Sequence, residues 1–154
     1  MSALAELSPL VGKWQGTNHL WLAPDEPVRL SESTAEIRAI AQDQFSELLY
    51  TWSESGLPQE GRMILGRFPD SPHVRAIWLD TWHMMNQFMD CEGGVNENGE
   101  VWVRGSYPAP PGPDWGWQIT FAGRGADAFR LQMHNITPEG EMFLAVEVAY
   151  TRQP

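Results

Sequence analysis

Few residues in this chain are of the types that do chemistry, and their spacing argues mostly against it. The four histidines, His19, His73, His83 and His134, are scattered, with no His-x-His and no His-Glu-x-x-His pattern to gather a metal. On a regular strand, Asp80 and Trp82 point to one face and His83 to the other, so Asp80 and His83 make a poor ligand pair. The single cysteine, Cys91, has no internal disulfide partner and stands just before Glu92-Gly93-Gly94, where an unreactive strand-end thiol is expected. The sequence contains no Gly-x-Ser-x-Gly elbow, phosphate loop or dinucleotide fingerprint. Its acidic residues stand singly, the pattern of a solvated face rather than of acid–base pairs. No catalytic constellation and no metal site is predicted.

What remains suits binding. The segment at 78–85 (WLDTWHMM) is the densest group of aromatic and thioether side chains in a chain that carries eight Trp and seven Met. Trp78, Trp82 and Met84 are its candidates for lining an apolar cavity, the methionine supplying adaptable packing. The competing reading is that a small barrel simply fills itself with large side chains. Near the C-terminus Tyr150 and Arg152 are two apart, so on a strand they project to one face, and an arginine there can hold a carboxylate bidentately. Alternatively, Arg152 is a frayed surface side chain paired with a glutamate. The expected partner is a small apolar or amphipathic molecule.

The elements that must position these residues are strands. Turn residues punctuate about ten runs: 13–23, 28–41, 45–53, 59–68, 74–82, 84–91, 100–107, 115–122, 128–136 and 141–152. Residues 2–10 suggest one short helical turn ending near Pro9. Several runs alternate with period two. Phe129, Leu131 and Met133 oppose Arg130, Gln132 and His134, while Trp115, Trp117, Ile119 and Phe121 oppose Gln118 and Thr120. In the last run Met142, Leu144, Val146, Val148 and Tyr150 share a face. Hairpin-length connections and one apolar face predict an all-β, up-and-down antiparallel barrel, because closure removes the exposed edges. A two-sheet sandwich is the competitor.

A chain of 154 residues suits a single domain over 1–154. A net charge of −10 repels phosphate backbones and offers no polybasic patch, so neither nucleic acid nor a membrane surface is an expected partner. The lone cysteine and the absence of a signal-like N-terminus are consistent with a cytoplasmic location.

At residues 12–16 the sequence reads Gly12-Lys13-Trp14-Gln15-Gly16 at the opening of the first strand. This resembles the Gly-x-Trp signature of the calycin barrels, which include lipocalins, fatty-acid-binding proteins and haem-binding nitrobindins. With the closing run Glu147 to Arg152, the chain resembles an uncharacterised bacterial family of lipocalin-like proteins known only as a domain of unknown function. The resemblance implies a barrel in which Gly12, Trp14 and Gly16 are structural, Trp14 covering one end. Fatty-acid-binding proteins hold a ligand carboxylate with an Arg and a Tyr two apart on the final strand, and here Tyr150 and Arg152 stand in reversed order. Haem binding of the nitrobindin type is the alternative function. It needs an axial histidine in a late strand, where His134 stands in an outward phase, so no cofactor is predicted.

Overall fold

The alternating runs form ten strands in the computed structural model, which describes residues 4–154. These are β1 (Gly12–Leu20), β2 (Arg29–Ile40), β3 (Phe45–Glu54), β4 (Leu57–Arg67), β5 (Val74–Asp80), β6 (Met89–Val95), β7 (Val101–Tyr107), β8 (Trp115–Ala122), β9 (Ala128–Ile136) and β10 (Met142–Arg152). Each strand pairs antiparallel with its chain neighbours, and β1 closes on β10, giving a ten-stranded up-and-down barrel. The helical content expected near the N-terminus is a 3-10 turn at Ser8–Leu10, and residues 2–3 of that expectation lie outside the described residues. No helix among the described residues is long and apolar enough to cross a membrane.

The inner faces are filled by large side chains. One end, where β1 begins and β10 finishes, is sealed by Leu4, Leu7, Leu10 and Trp14. The Trp14 indole is fully buried, donates its Nε1–H to Leu10 O at 2.8 Å, and meets Phe129 edge-on with centroids 4.9 Å apart. The Arg152 guanidinium lies 4.3 Å from the Trp14 ring centroid, a cation–π contact. It also donates to the carbonyls of Val11 (2.9 Å), Pro9 (2.8 Å) and Ala126 (2.9 Å). The flanking glycines make this packing possible. A Cβ on Gly16 would lie 2.5 Å from Ala149 O, and one on Gly12, whose φ is +139°, would lie 2.6 Å from Arg152 Nη1.

Three local expectations are corrected by the structure. The run expected at 84–91 begins as a strand only at Met89, and 81–88 leaves the sheet as a series of turns. Gly93 and Gly94, expected in a turn, are paired residues of β6. In β10 the register shifts between Leu144 and Val146, a bulge that reverses the alternation. Val146, Val148 and Tyr150 therefore face inward, whereas Leu144 pairs with outward His134 and Met142 is exposed. Phe143, paired with Asn135, takes the inner face instead.

Replacing Trp14 with Ala should cost about 3–5 kcal/mol, the range for deleting a buried large aromatic. Denaturant titration measures it, and a loss under about 1 kcal/mol would show that the sealed end does not depend on this ring.

Candidate functional site

The opposite end of the barrel is organised by a carboxylate. Asp80, the last residue of β5, is 1% exposed and forms no ion pair among the described residues, so hydrogen bonds must satisfy it. Its Oδ2 accepts from Tyr50 Oη–H at 2.7 Å and from Trp52 Nε1–H at 3.1 Å. Its Oδ1 accepts from the backbone N–H groups of Trp82 and His83, both at 2.9 Å. The Tyr50 oxygen in turn accepts from Trp78 Nε1–H at 3.0 Å. Burial first, and the Asp80 charge second, push the Tyr50 phenol well above its ordinary value, so it remains a donor.

This capture explains why the strand stops at Asp80. A carboxylate that binds the amides two and three residues ahead competes with the sheet ladder and starts a turn. The Met84 N–H then bonds Asp80 O at 2.9 Å, and Gln87 N–H bonds Met84 O at 3.0 Å. The turn carries His83 back over the barrel mouth, which corrects the expectation of a regular strand with His83 on the outer side. The imidazole stacks on Trp52 (centroids 5.5 Å, 29°) and meets Trp82, Trp78 and Trp117 at 4.8, 5.9 and 5.1 Å.

Beside this cluster lies a cavity of about 310 Å³. Trp78, Trp82 and Met84, expected as ligand contacts, all line it together with His83. Met89, Tyr107, Trp117 and Asn135 complete its wall, and nothing in the sequence marks these four for a site. Trp117 stacks on Trp78 with centroids 5.6 Å apart, is 5% exposed, and has a buried Nε1–H with no acceptor among the described residues. Tyr107 donates its hydroxyl proton to Asn135 Oδ1, so the Asn135 amide meets Tyr107 with its oxygen rather than its Nδ2–H donors. The same end of the barrel carries exposed apolar side chains, Met85 at 72%, Phe88 at 62% and Leu57 at 66%.

Tyr150 and Arg152 are not brought to this cavity. Tyr150 is buried on the inner face of β10, its hydroxyl 2.6 Å from Ser33 Oγ, and burial holds its phenol above the ordinary value. The Arg152 donors are spent on backbone carbonyls at the sealed end. Cys91 is buried within β6, and burial, with the Asp90 charge adding to it, pushes its thiol up to about 12. His134 opposes Phe129, Leu131 and Met133 across β9 and faces outward beside Glu147.

Fold and site together define a closed ten-stranded antiparallel barrel with one sealed end and a donor-bearing aromatic cavity at the other. The chain belongs to the family described as "Protein of unknown function (DUF1579)", whose model matches residues 3–152. No curated protein matches the chain closely enough to count as a relative.

Burial lowers the His83 imidazole below its ordinary value of 6.5, against an opposing pull from Asp80. The folded protein thus resists protonation of a ring that the unfolded chain protonates freely. Stability from this ring is complete above 6.5 and falls as the pH drops through the window beneath it. An NMR titration of the His83 ring protons should give a midpoint below 6.5. His83→Phe should flatten the dependence of stability on pH in that window. A midpoint above 6.5 would contradict the buried neutral ring.

Proposed function

We propose that this protein is a binding barrel, related in fold to the calycins, that takes a small apolar or amphipathic molecule into the cavity at its open end. The observation that carries this reading is the cavity itself. It is walled by Trp78, Trp82 and Met84 together with Trp117, whose covered indole N–H has no acceptor among the described residues. An apolar enclosure with a few unsatisfied polar groups is the usual form of a small-molecule site. The exposed apolar side chains at the same end suit a route for such a molecule. In this reading the protein binds rather than catalyses.

Haem, the alternative raised by the nitrobindin resemblance, does not fit the residues present. His134 faces outward from β9, and His83 is enclosed by four indole rings with centroids within 5.9 Å.

Toluene is a suitable neutral probe, followed through the indole N–H resonances. Shifts should be confined to Trp78, Trp82 and Trp117. Trp82→Ala should weaken binding roughly fivefold, the worth of about 40 Å² of apolar contact. Shifts confined to the outward Trp102, or none at all, would overturn the reading.

A further inference from the structure

The polar residues around the cavity are uncharged, and several carry N–H donors. Trp117 carries a covered indole N–H without an acceptor among the described residues, and Asn135 carries the Nδ2–H donors of an amide whose Oδ1 is taken by Tyr107. His83, held neutral at pH 7 by burial, offers one ring N–H and one acceptor. No lysine or arginine lines the space, so an anion would enter without a counter-charge. The Asp80 carboxylate, bonded to the amides of Trp82 and His83 at the cavity wall, further opposes an anion. An ammonium finds the same carboxylate already saturated by four donors.

From this we infer that the cavity selects an uncharged molecule bearing a carbonyl-type acceptor, held by the Asn135 Nδ2–H and the Trp117 Nε1–H. The inference rests on the reading of this cavity as the ligand site. A buried donor without an acceptor is costly, and an inserted oxygen removes that cost. Trp117 Nε1 is covered as well as unpartnered, so the oxygen must displace part of its cover. Residues 82–88 are the stretch of wall outside the strand ladder.

Four probes on nearly one skeleton separate the possibilities: acetophenone, ethylbenzene, benzoate and 1-phenylethylamine. Calorimetry at pH 7 should show acetophenone binding roughly five- to tenfold more tightly than ethylbenzene, the scale of one hydrogen bond to a buried donor. Benzoate and the amine should bind more weakly than either. The Trp117 indole N–H resonance should move downfield with acetophenone and not with ethylbenzene. Trp117→Phe should abolish the preference for the ketone while leaving ethylbenzene binding in place, which also reports that the variant folds. Asn135→Asp, which keeps the acceptor for Tyr107 and removes the amide donor, should reduce the same preference. Equal affinity for acetophenone and ethylbenzene would overturn the inference and leave the binding site standing. Tightest binding by benzoate or the amine would overturn it in favour of a charged ligand. No binding by any of the four would overturn the site and the inference together.

Discussion

A ten-stranded sheet has two open edges unless it closes, and the pairing of β1 with β10 removes both. Closure fixes an interior that this chain must fill with side chains, and it fills it unevenly. Aromatic rings crowd the sealed end, where Trp14, Phe129 and Phe121 pack beneath the N-terminal turn. Arg152 at the end of β10 ties that turn to the barrel through three carbonyls that are distant in sequence. The sealed end and the closing strand pair are thus one construction, and unfilled inner space remains at the other end.

There the decisive group is Asp80. A carboxylate buried without a cation must draw its compensation from hydrogen bonds, and each of its four donors fixes a different piece of the mouth. Tyr50 and Trp52 bind it from β3, while the amides of Trp82 and His83 bind it from the departing turn. Tyr50 passes the constraint to Trp78, and Trp78 stacks on Trp117. The cavity is the space left by this network, walled on one side by strands and on the other by the turn that follows Asp80.

Much of the barrel is legible in the sequence because alternation is a local signal. Phe129, Leu131 and Met133 face inward as their spacing requires, and so do Trp117, Ile119 and Phe121. The bulge in β10 is not legible, since nothing in Leu144-Ala145-Val146 marks an extra residue, and it moves Met142 and Leu144 to the outside. Trp78, Trp82 and Met84 do share a cavity, but the polar half of the site could not be read. Asp80 looks like any solvated aspartate until its donors, which come from β3 and from its own turn, are placed around it. Trp117 and Asn135 reach the cavity only through barrel closure, and the fate of Arg152 depends on carbonyls far along the chain.

The central claim is that a small uncharged molecule occupies the open-end cavity with its oxygen toward Trp117 and Asn135. A crystal soaked with 4-bromoacetophenone tests it most directly, because anomalous scattering locates the bromine independently of the phases. The account predicts a single strong bromine site among Trp82, Met84 and Met89, with the carbonyl oxygen within hydrogen-bond distance of Asn135 Nδ2 or Trp117 Nε1. Bromine found only on the outer face, or beside Arg152 at the sealed end, would contradict it.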